Sequence, residues 1–290
     1  MTAAFFLQCY KDYREYLTWA FTHLSYYNVL MWVGIAALIG LLLELLLPKK
    51  FDYPLINKKS FGTDILFLIA NYILFEGLFF YAFCTTLHFV WMGFLQQTGW
   101  SAPALLTDSG LPYWLCFVVA FIIRDLMEYG VHFAQHHIPL LWRFHQIHHN
   151  QYSLGFAATQ HLHYFDILIY RISSYLVFAI LGFSADEFFM TYFIISVLNT
   201  FINHCNLRIS IGPLKYIINN PEAHHWHHAY NTPSVYGANF GSILNIWDWL
   251  FGTLYLPSKD IVPKLGLSDG PKLPQGFISE WIYPFRKKIE

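Results

Sequence analysis

Hydrophobic and polar positions divide this chain into long apolar runs separated by short polar breaks. Val29 to Leu47 is almost uninterrupted and has the length a helix needs to cross the roughly 30 Å hydrocarbon core of a bilayer, about 20 residues. Asp64 to Met92 predicts a second, aromatic span long enough to cross with tilt, and Tyr113 to Gly130 a third, beginning after the breaker "SGLP". Ile167 to Cys205 is a longer apolar stretch with "GFSADE" at its middle, which predicts a helical hairpin that returns the chain to the side it left. Before all of these, residues 5 to 27 mix aromatics with Lys11, Asp12, Arg14 and Glu15. That mixture predicts an amphipathic helix, either at a membrane interface or on a soluble surface. The same charges interrupt the first apolar run before the core of a cleavable signal can form.

Composition strengthens the membrane reading. Of 290 residues, 56% are hydrophobic and 12% charged, against roughly a quarter charged in soluble domains. A net charge of -1 leaves no basic field for nucleic acid. Cys9, Cys84, Cys116 and Cys205 form no Cys-x-x-Cys pair, so neither a disulfide framework nor a thiolate metal site is expected. Lys49, Lys50, Lys58 and Lys59 between the first two spans place that loop in the cytoplasm. Counting onward, the polar stretch after the third span emerges on the cytoplasmic side. Lys259, Lys264, Lys272, Arg286, Lys287 and Lys288 in the tail agree. The expectation is an all-α integral membrane protein, one domain over 1–290, with spans within 29–130, a hairpin over 167–205 and a cytoplasmic tail over 258–290. It has five transmembrane helices, or four if one early segment is re-entrant, under a cytoplasmic histidine-rich cap. The terminal "KKIE" would act as an endoplasmic-reticulum retrieval signal in a eukaryote; in a bacterium the inner membrane is the expected location.

Thirteen of the 15 histidines fall between His132 and His228. His132 and His136, four apart, stack on one helical face; His145, His148 and His149 stand at i, i+3 and i+4, and His224, His227 and His228 repeat that pattern. Imidazole suits zinc, copper, iron and nickel. Eight such ligands exceed the four of a closed zinc site, which more often uses cysteine, so a working dinuclear centre is expected, with iron the choice for oxygen chemistry. Glu128, one turn before His132, and Asp125 are candidates to orient imidazole N–H groups; the alternative is an interface charge paired with Arg124 or Arg143. Asp248, between Trp247 and Trp249, is a candidate orienting or structural acid, and an acid so placed is expected to be hydrogen-bonded.

The order His-x3-His, His-x2-His-His, apolar hairpin, His-x2-His-His resembles the fatty acid hydroxylase and sterol desaturase superfamily. "RDLMEYGVHFAQHHIPLLWRFHQIHHN" looks like its first two boxes, and "NPEAHHWHHAYN" with "NFGSILNIWDWLFGTLYLP" like its last box and tail, covering about Arg124 to Pro257. The resemblance implies a pair of iron ions, with zinc a possible substitute, that activates dioxygen to hydroxylate, desaturate or cleave a lipid. It implies ligands at His132, His136, His145, His148, His149, His224, His227 and His228. It adds His163 and His204, which occupy the two feet of the hairpin. His137, His161 and His225 stand beside the pattern and are expected at the surface or as partners of ligands. Many relatives carry an arginine near the first hairpin foot, where this chain has Gln160 or His161, so substrate identity does not transfer.

No glycine fingerprint for flavin or nicotinamide and no cysteine set for an iron–sulfur cluster is present. An external electron donor, of cytochrome b5, ferredoxin or reductase type, is therefore expected to dock on the cytoplasmic face. The leading expectation is lipid hydroxylation, with desaturation by the same centre as the alternative. A non-catalytic metal-binding protein or a metal transporter is the second alternative, although Glu44, Glu76 and His88, the ionisable groups within the spans, form no motif. Trp142, Trp226, Trp247 and Trp249 fit either interface anchors or the walls of a lipid tunnel.

Overall fold

Asn28 starts the first long apolar helix by accepting the Met31 N–H on its side chain, as an N-cap asparagine does. Its amide in turn donates to Ala20 O and His23 O, which fixes the entry from helix α1 (Ala3–Thr22) into α2 (Val29–Leu46). This computed structural model describes residues 3–51, 60–99, 104–182, 187–230, 232, 234, 236–257, 264–267 and 273–286. Among them it is helical, with no strand beyond the isolated bridges Ile218–Leu244 and Ala229–Leu265. Lys58, Lys59, Lys259, Lys272, the "KKIE" end and part of "GFSADE" lie outside the described residues.

The apolar stretch expected over 64–92 is helical from Phe61 to Thr98: α3 (Phe61–Ile69), a π-helical segment (Ala70–Tyr81) and α4 (Ala82–Thr98). The third apolar stretch runs past Gly130 as one helix, α5 (Tyr113–His137), carrying His132 and His136 on its last two turns. The expected hairpin is α7 (Tyr164–Leu181) and α8 (Glu187–His204). Among the described helices, α2 and α7 are each long and apolar enough to cross a membrane.

Near their turn the hairpin legs meet at Phe178 and Phe188, ring centroids 5.0 Å apart. Elsewhere α7 packs on α5, whereas α8 packs on α2 and on the helix bearing the last histidines. Two apolar cores follow from this division. One joins Val33 and Ala36 of α2 to Phe193, Val197 and Phe201 of α8; the other joins Cys116 and Ala120 of α5 to Val177, Phe178, Phe188 and Tyr192. Glu44, buried on α2, accepts the N–H groups of Phe156 and Asn206 and ties α2 to the segments that follow residues 155 and 205.

Candidate metal centre

The second histidine box does not lie on a single helix. Helix α6 (Pro139–His145) ends at His145, and His148 and His149 sit in a separate 3-10 turn, His148–Asn150. The third box occupies α9 (Pro221–His227), which starts at Asn220, whose side chain accepts Glu222 N–H and Ala223 N–H, and closes at its cap, His228. Both boxes are split between two adjacent groups. His132, His136, His145, His149 and His227 form one; His148, His204, His224 and His228 form the other. Within each, one nitrogen per ring lies within 4.8 Å of all the rest. In these two boxes the i, i+4 pair shares a group and the histidine at i+3 serves the other. Ring stacking joins the groups, with His149 and His228 centroids 4.5 Å apart.

The orientation of the rings fits metal ions. Nδ1–H of His132 donates to Phe240 O (2.9 Å), that of His227 to Ala238 O (2.8 Å), that of His204 to Thr200 O (2.8 Å) and that of His148 to His161 O (3.3 Å). Each bond fixes the tautomer and leaves Nε2 with a lone pair, the arrangement that outer hydrogen bonds give to ligating imidazole. In the five-histidine group Nε2 of His132, His136, His149 and His227 is buried without a hydrogen-bond partner among the described residues. A buried unpaired acceptor costs about 1–3 kcal/mol, so four converging ones call for a cation. In the four-histidine group, Nε2 of His204 is 3.2 Å from that of His148 and 3.0 Å from that of His224, which is 3.2 Å from that of His228. Nitrogens sharing one tetrahedral ion at about 2.0–2.1 Å stand roughly 3.3 Å apart.

Burial holds these rings neutral, the form that binds metal. It takes His145, His148, His149, His224, His227 and His228 well below the usual imidazole value, with neighbouring imidazoles adding to the effect.

The structure departs from expectation at His163. Rather than reaching the metal groups, it caps α7: Nδ1 accepts Phe165 N–H and Nε2 meets Trp281 O. The two feet of the hairpin are not equivalent, because His163 precedes the first turn of α7, whereas His204 completes the last turn of α8. His137 stacks on Phe133 at 3.7 Å, and His225 packs against Phe51 at 5.4 Å; both lie outside the two groups. His161 is buried between Asp64 and Glu280. Trp142 stands 4.9 Å from His136 and walls the five-histidine group, whereas Trp249 is exposed.

Of the candidate acids, Asp248 acts on the site through the backbone. It accepts Phe240 N–H and Gly241 N–H, both at 2.7 Å, and the Thr253 hydroxyl. This holds the segment whose carbonyls orient His132 and His227. Asp125 accepts Ile243 N–H, Leu244 N–H and Trp247 Nε1–H, anchoring the same segment to α5. Glu128 takes the alternative role: it pairs with Arg124 at 2.7 Å and accepts the Tyr192 hydroxyl at 2.9 Å. Sequence reasoning missed Asp166, fully buried, which accepts Gln135 Nε2–H and lies 3.9 Å from His145 Nδ1. Its signal was present: a carboxylate in the first turn of an apolar helix, three positions after a box-region histidine.

A cavity of about 190 Å³ opens against both groups. His132, His145, His148, His204 and His224 form its floor, and α5, α7 and α8 form its walls. Gln160 lines it as well.

Residues 117–253 match the fatty acid hydroxylase family. Ornithine lipid hydroxylase OlsE of Rhizobium tropici is 30% identical over 174 residues, 59% of this chain and 50% of that protein. Alkylglycerol monooxygenase of Danio rerio is 32% identical over 158 residues, 53% of this chain and 33% of its own. Sphingolipid C4-hydroxylase sur2 of Schizosaccharomyces pombe is 28% identical over 173 residues, 58% and 57%. The chain thus spans about half or less of the first two relatives and somewhat more of the third. No solved structure matches it.

Proposed function

We propose that this chain, whose histidine-bearing region 117–253 is of the fatty acid hydroxylase family, is a membrane-bound, non-heme di-iron oxygenase that hydroxylates a lipid. The observation that carries the reading is the convergence of nine buried histidines into two adjacent groups, five of whose members line one cavity. The lipid hydroxylases and monooxygenases among its relatives supply the substrate class.

His132, His136, His145, His149 and His227 would hold one ion, and His148, His204, His224 and His228 the other. A bound iron pair supplies the activation of dioxygen for C–H oxidation. Overall, substrate C–H and dioxygen, with two electrons and two protons, give C–OH and water. The electrons come from a separate donor of cytochrome b5, ferredoxin or reductase type docking on the cytoplasmic face. The protein's own part is to keep the imidazoles neutral by burial, to fix them through backbone carbonyls, and to present a substrate carbon from the cavity. Zinc would fill the same site without supplying redox chemistry. Desaturation by the same centre is the second reading, since removal of a second hydrogen depends on where the carbon is held.

In this reading α2 and α7 cross the membrane and α8, α5 and the helical segment 61–98 complete four to five spans. The histidines then face the cytoplasm, in the endoplasmic reticulum of a eukaryote or the inner membrane of a bacterium. The test is metal analysis of detergent-purified chain with a lipid screen under a supplied reductant. About two irons per chain with an oxygenated product is the expected result; a preparation that takes up no metal under any loading condition overturns it.

A further inference from the structure

Arg124 is 2% exposed, on α5, at the wall of the cavity. Its Nη2 donates to Glu128 Oε1 at 2.7 Å and to Tyr170 O at 3.3 Å, and the guanidinium sits 5.1 Å from the Tyr192 ring centroid. Nε and Nη1 have no hydrogen-bond partner among the described residues. A guanidinium cannot shed its charge, so burying unpaired donors is costly unless something accepts them. A structural ion pair would need only the contact with Glu128.

Three features say what accepts them. Arg124 lines a cavity that also reaches His132, His145, His148, His204 and His224. Arg171, on α7, lines the same cavity, its guanidinium 5.2 Å from the Phe193 ring centroid, so the lining carries two guanidinium groups and one carboxylate, Glu128. Arg124 and His132 are eight residues apart on α5, a rise of roughly 12 Å, which sets the arginine away from the histidine floor. We propose that Arg124 is a substrate-anchoring residue that binds an anionic oxygen group, a carboxylate or a phosphate, at the polar end of the lipid. The anchored group then lies about two helical turns from the carbon presented to the histidines. This deepens the lipid hydroxylase reading and rests on it for the identity of the cavity.

The test reads binding without turnover. Dodecanoate, dodecyl phosphate and dodecanol are titrated calorimetrically into the full-length, metal-loaded chain in a non-ionic detergent. At least one of the two anions is expected to bind ten-fold or more tightly than the alcohol, and which one identifies the oxygen group. Arg124→Lys is expected to keep that preference. Arg124→Gln combined with Glu128→Gln removes both charges together, avoids an unpaired buried carboxylate, and is expected to abolish it at unchanged metal content. Dodecanol binding as tightly as both anions in the wild type overturns the proposal, as does a preference that survives in the double variant. If the double variant loses its metal and does not fold, Arg124→Ala with Glu128→Gln repeats the comparison. Absence of any oxidised product bears on the hydroxylase reading alone, because no arm of the titration requires reaction.

Discussion

His149 and His228 stack with ring centroids 4.5 Å apart and an interplanar angle of 26°, yet they serve different histidine groups. Two centres so close are coupled through shared helices, because α9 sends His227 to one and His224 to the other. The five-histidine group has one donor more than the four-histidine group, so the two should not tolerate loss equally. His228→Ala is expected to empty the four-histidine site, reducing iron from about two per chain to about one. His136→Ala should leave four donors at the other site and retain more metal. Both should lose activity by more than the 10–100-fold typical of outer-partner changes. Metal analysis of the two variants side by side checks the order; equal loss would show that the groups load as one unit.

His163 and His204 separate on the same measurement. His163→Ala is expected to keep full metal, because its ring bonds Phe165 N–H and Trp281 O, and to cost about 0.5–2 kcal/mol as a lost helix cap. His204→Ala should lose the ion of its group. Metal loss in His163→Ala comparable to that in His204→Ala would contradict the placement.

Asp248 reaches the histidine groups through two amides and two carbonyls. Replacing it with Ala should release Phe240 N–H and Gly241 N–H, loosen the carbonyls that orient His132 and His227, and lower metal affinity about 10–100-fold. Asn, which keeps one acceptor, should fall between. Gly241→Ala is a second probe of that loop, since an added Cβ would lie 2.5 Å from Leu244 O and 2.8 Å from Asp248 Oδ2. Competition against a chelator ranks all three; affinity unchanged in Asp248→Ala would remove the loop from the site.

The histidine sets and the apolar hairpin were legible because each rests on a local period: i, i+4 spacing for a helix face and a long apolar run for helical legs. What local period could not show is the sorting of ligands. The three-residue step from His145 to His148 crosses a helix end, and the one-residue step from His227 to His228 crosses another. One helical face per box does not separate the i+3 histidine from the i, i+4 pair, which the chain places in different groups. His163 failed for a related reason: sequence symmetry between the feet says nothing of which ring nitrogen the backbone captures. Asp166, Gln135 and the pairing of His161 with Asp64 and Glu280 depend on contacts across 31, 97 and 119 residues, and no window on the sequence contains them.

His161 makes the last of these long-range ties, and it predicts a pH response with a definite sign. Burial alone would lower its pKa, but hydrogen bonds and charge from Asp64 and Glu280 more than reverse this and hold it at about 9, above the usual 6.5. The folded protein therefore keeps a proton that the unfolded chain releases near 6.5. The stabilisation is complete below that value, declines as pH rises, and is lost once pH passes about 9. The triad joins α3, the 161 loop and helix α10 (Phe277–Ile282), and the His161 carbonyl orients His148. Melting of the detergent-solubilised wild type should therefore weaken between pH 7 and 9.5. His161→Gln, which cannot carry the charge, should melt lower at pH 7 and show little further fall over that window, so that the two curves converge at the alkaline end. Parallel curves separated by a constant gap would mean that His161 holds the loop as a neutral ring, and that the charge between its two carboxylates contributes nothing.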